Sequence, residues 1–231
     1  MIGNPQAISA FWQAFQDNKG ALAAASSADD AVYDLLLDRL QQVHPDLYFE
    51  FSSDPGSSEI VITAEGDTSL FPLVESIVAT APEIAGWSVV PLKPKLGFPV
   101  EATWEDFTVT IAHVLFEPLE REGSEELGIR MFIIGLAPES TEDAHNALLR
   151  ALDHALGERQ FAESVQHTEV HPLPADATGD DYLRLTDLEN YIRWRKKKRE
   201  HRNCQQGAPP NAGNATQLGN SEASEEPPSV S

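Results

Sequence analysis

The chain has 231 residues, of which 37 are acidic and 16 basic, and its formal net charge is −21 at pH 7. Seven of the basic residues lie in residues 193–202, and the 192 residues before this run carry nine basic and 33 acidic side chains, a net charge of −24. An acidic body of this kind repels nucleic acids and anionic membranes, so the composition argues against binding of either outside the basic run.

The single cysteine, Cys204, excludes an internal disulfide, a cysteine-based zinc site and a CxxC redox pair. No basic segment followed by an apolar one opens the sequence, and no apolar run approaches the roughly 18 residues that span a bilayer. We therefore expect a cytoplasmic protein. The composition predicts a single acidic domain over residues 1–192, a basic helix end at 193–202 and a disordered tail at 203–231.

Two helices are predicted near the N-terminus. Residues 5–19 repeat Ile and aromatic side chains at helical spacing, which indicates one apolar face. The second helix begins at the capping residues Ser26–Asp30 and ends at Pro45. Both are expected to pack on the strands that follow.

The sequence pattern after these helices predicts two similar halves, over about 47–92 and 107–173. Each half has the order strand–strand–helix–strand. Each half begins with a hairpin, continues with an apolar helix face and closes with a third strand. The fold class is therefore α+β, with antiparallel or mixed sheet and helices packed on one face. The halves either form one continuous sheet or face each other. The predicted strands are 47–51, 59–64, 87–90, 107–116, 128–136 and 165–171.

Charged turns and caps separate these elements. Residues 117–126 predict an acidic hairpin loop, and Ser140–Asp143 is a capping box that begins the helix of the second half, with Gly157 as its C-cap. A second capping box at Thr186–Glu189 begins the last helix, which continues into the basic run. No carboxylate spacing of an EF-hand is present.

The histidines do not predict a metal site. Of seven, only His167 and His171 are close in sequence, and a strand places them on one face but about 13 Å apart, too far for one ion to bind both. The pattern instead indicates a solvated strand face. No nucleophile elbow, phosphate loop, dinucleotide fingerprint or zinc-protease motif occurs, so no cofactor is predicted.

Three residues are weak candidates for catalysis, namely Glu50, His113 and Glu169. Glu50 lies between Phe49 and Phe51 and therefore occupies the opposite face of its strand. Burial of that face would raise the pKa of Glu50 and suit it to acid–base chemistry. An exposed face is the simpler interpretation.

The basic run allows two interpretations. It could contact a polyanion, either nucleic acid or anionic lipid, with an aromatic side chain among the cations. Alternatively, it is a helix end that neutralises the acidic body and suits the helix dipole. The residues concerned are Arg193, Trp194, Arg195, Lys196, Lys197, Lys198 and Arg199.

Several segments together resemble those of a known family. They include Leu47–Phe51, Glu59–Gly66, Phe71–Val74 and Ala81–Trp87, which has an AP-x-x-x-GW pattern. On these segments, roughly residues 8–192 resemble a family of uncharacterised bacterial proteins with the same order of elements. The resemblance implies that order and a bacterial cytosolic setting. It implies no reaction, cofactor or catalytic residue.

The sequence thus favours a non-enzymatic protein-binding or regulatory module, of the inhibitor or immunity type, whose acidity suits a basic protein partner. One alternative is an enzyme whose site is assembled from scattered residues such as Glu50, His113 and Glu169. Another is contact of residues 193–202 with nucleic acid or an anionic membrane. The oligomeric state is left open.

Overall fold

A computed structural model describes residues 3–25, 30–54, 57–121, 124–177 and 181–206. Of the predicted disordered tail, residues 207–231 lie outside the described residues. The predicted capping residues Ser26 and Ser27 also lie outside them. No helix among the described residues is both long and apolar enough to cross a membrane.

The fold is α+β, as predicted. Its six α-helices are α1 (Pro5–Ala24), α2 (Ala31–Gln41), α3 (Phe71–Ala79), α4 (Thr141–Leu156), α5 (Glu158–Ser164) and α6 (Leu188–Gln206) within the described residues. The strands are β1 (Tyr48–Asp54), β2 (Ser57–Thr63), β3 (Trp87–Pro91), β4 (Glu101–Trp104), β5 (Phe107–Thr110), β6 (Leu115–Leu119), β7 (Gly128–Ile133), β8 (His167–Pro172) and β9 (Leu183–Arg184).

The chain divides into two compact units that each use two segments. The first unit is Met1–Pro99 with Leu148–Gln166, and the second is Val100–Ala147 with His167–Ser231. The end of α4 and all of α5 therefore belong to the first unit, although they lie within the second predicted half, 107–173. A single domain over residues 1–192 stays a prediction.

The first unit contains a three-stranded sheet in the order β1-β2-β3, in which β1 and β2 are antiparallel and β2 and β3 parallel. With α3 between β2 and β3, this is the predicted strand–strand–helix–strand unit. Alternation along the strands places Phe49, Ile60 and Ile62 in a core that they share with apolar residues of α1, α2 and α3. Glu50 consequently faces the other side of the sheet.

The second unit contains a four-stranded sheet in the order β8-β7-β6-β9 and a separate hairpin of β4 and β5. Strands β6 and β7 are antiparallel and β7 and β8 are parallel, which repeats the arrangement of the first unit.

The predicted single strand 107–116 is wrong in one respect, because a 3-10 helix at Ile111–His113 divides it into β5 and β6. This turn lets both Ile111 and Val114 enter the core. Strand β6 then continues to Leu119 and takes up the beginning of the predicted acidic loop at 117–126.

Candidate functional site

The backbone of the first unit has an uncommon conformation where β3 ends. Leu92 has a φ of +62°, a conformation that a bulky side chain adopts only under constraint. Its backbone N–H donates to the Ile62 carbonyl at 2.8 Å, and its side chain is buried. The chain is thereby turned so that Lys93 lies beside the loop after β2, where Glu65 also has a positive φ of +49°.

Lys93 is the centre of a group of charges that we name the Lys93 cluster: Lys93, Glu50, Glu65 and Asp153. The Lys93 Nζ lies 2.9 Å from Glu65 Oε2, 3.0 Å from Asp153 Oδ2 and 3.5 Å from Glu50 Oε1. All four residues belong to the first unit. One ammonium group facing three carboxylates leaves this cluster with a net charge of −2 when all are ionised.

The pKa values in this cluster follow from burial and ion pairing. Burial by itself lowers the pKa of the Lys93 ammonium, but its hydrogen bond to Glu65 and the attraction of Asp153 outweigh burial, so the pKa is raised. Burial raises the pKa of Asp153, and the attraction of Lys93 offsets this only in part. Lys93 therefore remains a cation, which makes it a poor amine nucleophile near neutral pH.

A buried carboxylate holds the backbone of this region in place. Glu158 is only 2% exposed, and its side chain accepts four hydrogen bonds. The donors are the Thr63 hydroxyl at 2.8 Å and the backbone N–H groups of Ala64, Gly66 and Lys93, each at 3.0 Å. Glu158 thus joins α5 to the end of β2 and to the segment after β3, and it positions Lys93.

The approach of α5 to that segment requires a glycine. Gly157 has a φ of +75°, and a Cβ atom there would lie 2.8 Å from the Lys95 backbone nitrogen. The predicted C-cap role of Gly157 at the end of α4 agrees with its hydrogen bond, at 2.8 Å, to the Asp153 carbonyl. The same residue therefore ends α4 and lets Glu158 reach its four donors.

The Lys93 cluster faces solvent through two of its carboxylates. The side chains of Glu50 and Glu65 are 60% and 49% exposed. With its surplus of negative charge, this surface can bind a further cationic group. Among the described residues, no set of three or more His, Cys, Asp or Glu side chains is arranged to hold a metal ion.

A second group of charges lies across the four-stranded sheet of the second unit. Arg130 on β7 faces Glu117 on β6 and Glu169 on β8 in direct register, and it contacts each carboxylate at 2.7 Å. His167 and His171 contact the two oxygens of Glu169, at 3.0 Å and 3.1 Å. The side chains of the two histidines therefore converge on the carboxylate between them, a contact that strand spacing alone does not predict.

These contacts determine the charge of Glu169. The hydrogen bonds from His167 and Arg130 lower the pKa of Glu169 to about 2. Glu169 is therefore an anion throughout the neutral range and is unsuited to act as a general acid.

The three candidate catalytic residues are not brought together in one unit. Glu50 belongs to the first unit, while His113 and Glu169 belong to the second. His113 ends the 3-10 helix after β5, is exposed and lines an open groove, whereas Glu169 lies in β8 beside Arg130.

The basic run is divided by the geometry of α6. Residues Tyr191, Arg195 and Arg199, spaced by four, lie on one face of the helix and contact the acidic segment after β6. The Glu120 carboxylate accepts hydrogen bonds at 2.8 Å from both the Tyr191 hydroxyl and Arg195 Nε. Arg195 and Arg199 also donate to the Glu125 carbonyl, at 3.1 Å and 2.9 Å.

The other cations of the run point elsewhere. Arg193 pairs with Glu189 one turn earlier, at 2.9 Å, and Lys198 lies over the Trp194 ring, 4.6 Å from its centroid. Lys196 and Lys197 are exposed. Two of the arginines thus neutralise acidic groups of the body, which supports the second interpretation of this run, and the lysines remain accessible.

Replacing Arg195 with glutamine is expected to lower the free energy of unfolding by about 1–2 kcal/mol, because its hydrogen bonds to Glu120 and to two backbone carbonyls are lost. The double substitution Lys196→Gln/Lys197→Gln should change that free energy by less than ~0.5 kcal/mol. Urea denaturation of the three proteins measures both values. If both variants lowered the free energy of unfolding equally, the contacts of Arg195 would not be what holds α6 in place.

Comparisons of the chain with protein-family models, with curated proteins and with solved structures find no match. The resemblance to a bacterial family therefore stays a prediction.

Sequence reasoning named Glu50 but missed Lys93, Asp153 and Glu158. The signal that was available is the scarcity of cations, because the sequence has only Lys19 and Arg39 before Lys93. A lysine shortly after a strand in so acidic a chain is a good candidate for an ion pair. Its partners come from distant segments, and no local pattern identifies them.

Proposed function

We propose that this protein is a non-enzymatic binding module for a basic protein partner, and that the exposed carboxylates of the Lys93 cluster are part of the contact surface. The observation that carries the proposal is the way the fold uses its few cations. In the part of the chain that the structure describes, at least six lysine and arginine side chains are each held by one or more carboxylates, and together these six contact ten. These six are Lys93, Arg130, Arg159, Arg193, Arg195 and Arg199.

Because these cations are occupied within the molecule, the acidic surplus of residues 1–192 faces the surroundings. Such a surface accelerates the encounter with a basic partner and disfavours acidic ones. Glu50 and Glu65 are suited to the contact, since both are exposed and both already accept one ammonium group.

Two features favour binding over acid–base catalysis. The ion pairs keep Lys93 protonated and Glu169 ionised, so neither can change its protonation state readily near neutral pH. A cytosolic setting and membership of the bacterial family that the sequence resembles belong to the same proposal and are supported by the sequence alone.

The proposal is tested by affinity capture from lysate of the source cell with quantitative mass spectrometry, at about 50 mM and about 500 mM sodium chloride. Four full-length proteins are compared: wild type, Glu50→Gln/Glu65→Gln, Asp17→Asn/Glu83→Gln and Lys196→Gln/Lys197→Gln. The second and third proteins lose the same charge from the first unit, but only the second alters the Lys93 cluster.

We expect one basic protein in stoichiometric amount with the wild type and with Asp17→Asn/Glu83→Gln, lost in Glu50→Gln/Glu65→Gln and reduced at high salt. Retention of no basic protein by the wild type at low salt would overturn the proposal. Loss only with Lys196→Gln/Lys197→Gln would overturn it in favour of polyanion contact through α6.

A further inference from the structure

Strand β5 has a free edge. Its only strand neighbour among the described residues is β4, and the pair is antiparallel with Thr108 opposite Thr103. The Ile111 N–H donates to the Val100 carbonyl at 3.0 Å, which continues the ladder by one hydrogen-bonded pair. In an antiparallel ladder, hydrogen-bonded pairs alternate with non-hydrogen-bonded pairs. Because Ile111 and Val100 form a hydrogen-bonded pair, Thr110 and Thr108 occupy non-hydrogen-bonded positions.

A side-chain contact agrees with this register. The hydroxyls of Thr103 and Thr108 are 3.1 Å apart, as expected of a non-hydrogen-bonded pair, in which side chains approach closely. The backbone N–H and C=O groups of Thr108 and Thr110 therefore point away from β4. They are the groups that an additional strand would use.

An open groove of about 610 Å³ lies along this strand. All four residues of β5 line it, together with the segment 133–137, His113 and Ser140. Ile134 lines this groove, and its side chain is 70% exposed. The groove thus combines outward-pointing backbone groups with an apolar contact, which are the two requirements for recognition of an extended peptide.

The segments that adjoin this groove are acidic. Glu105 and Asp106 form the turn directly before β5, and both are exposed. Glu139 precedes the lining residue Ser140, and Glu142 lies in the first turn of α4. The lining residues include no lysine or arginine. A segment that carries lysine or arginine therefore complements the groove in charge.

We propose that the free edge of β5 binds an extended basic segment of a partner protein as an added strand. Backbone hydrogen bonds to Thr108 and Thr110 hold the segment, an apolar side chain contacts Ile134, and basic side chains face the acidic turns. A second copy of this chain fits less well, because its own β5 is flanked by the same acidic residues and its net charge is −21. The inference rests on the proposed function only in the choice of a basic partner.

The test uses the full-length protein, labelled with ¹⁵N, and an acetylated nonapeptide amide of alternating lysine and valine. We expect saturable changes in the amide signals of Thr108 and Thr110. A peptide with every second amide N-methylated, and a peptide with glutamate in place of lysine, should each bind at least about tenfold more weakly, because one loses the ladder donors and the other the charge complementarity.

A matched pair of variants tests the strand edge itself. Thr110 has a φ of −76°, which proline adopts without strain, so Thr110→Pro removes an outward N–H while the hairpin is kept. Thr108→Ala removes a side chain but no backbone donor. We expect Thr110→Pro to lose affinity by at least about tenfold and Thr108→Ala to bind as the wild type does.

Equal binding of the N-methylated peptide would overturn the inference, since attraction would then be electrostatic alone. Protection of the Thr108 and Thr110 amides that depends on protein concentration without peptide would overturn it in favour of a second copy. The variant Glu50→Gln/Glu65→Gln should bind the nonapeptide like the wild type. Nonapeptide binding therefore tests the strand edge, whereas affinity capture tests the Lys93 cluster, and either proposal can fail without the other.

Discussion

Replacing Glu158 with alanine is expected to lower the free energy of unfolding by about 3–5 kcal/mol, because three backbone N–H groups and one hydroxyl lose their acceptor in a buried position. The donors belong to Thr63, Ala64, Gly66 and Lys93, so the end of β2 and the segment after β3 both lose their link to α5. Urea denaturation followed by tryptophan fluorescence measures the loss, and hydrogen exchange of β2 amides assigns it to the first unit.

Two further variants make this prediction specific. Glu158→Gln keeps the shape and one acceptor oxygen, and we expect it to lose about 1–3 kcal/mol. Glu163→Gln removes an exposed carboxylate from the same helix, where it pairs with Arg159 at 3.1 Å, and should cost less than ~0.5 kcal/mol. An alanine variant that unfolds at the same urea concentration as Glu163→Gln would contradict the anchoring role of Glu158.

Replacing Lys93 with methionine is expected to lower the free energy of unfolding by about 2–4 kcal/mol at neutral pH, since Glu50, Glu65 and Asp153 then repel one another without a cation. The loss should shrink as the pH falls below neutral, because Asp153, whose pKa burial already raises, takes up a proton. Denaturation at several pH values measures this. Lys19→Met, which removes an equal charge from α1, should cost less than ~0.5 kcal/mol.

The wild type should also lose stability in alkali. The pKa of Lys93 is higher in the folded protein than the value of about 10.4 in an unfolded chain. Its contribution is therefore fully present below about pH 10.4 and is lost as the pH rises toward the folded value. Lys93→Met should lack this part of the alkaline decline. A pH-independent difference between the two proteins from neutral to alkaline conditions would contradict the role of the ion pairs.

The order of elements could be predicted from the sequence because it depends on local signals. The hairpin of β1 and β2 has β-branched and aromatic strands around a turn-forming segment, and α3 begins with Pro72 in its first turn. The same signals repeat in β6, β7 and α4. Along both predicted halves of the sequence, these signals gave the order of two strands, helix and third strand that the structure shows, with the additional helix α5 after α4.

The sequence could not predict which segments fold together. Nothing in the pattern of α4 indicates that its end belongs to the first unit, since one apolar stripe suits packing on either sheet. Strand β4, with which β5 pairs, was not predicted at all. Pairing partners of a strand are non-local, whereas propensity and periodicity are local.

In the candidate site, too, local features could be predicted and non-local contacts could not. Alternation along β1 placed Glu50 on the face opposite Phe49, which is correct, and abundance of carboxylates hid Asp153 and Glu158. An acidic residue is identified as part of a site only by what surrounds it. Those surroundings come from four separate segments.

The shared use of α4 has a consequence for how the chain matures on the ribosome. The first unit requires Leu148–Gln166, so it cannot be completed when Pro99 emerges from the exit tunnel. Until Glu158 is synthesised, the N–H groups of Ala64, Gly66 and Lys93 lack their acceptor, and the nascent β2 region stays incomplete. Separate expression of residues 1–99 should therefore give a fragment that gains its native structure only when a polypeptide containing 148–166 is supplied in trans.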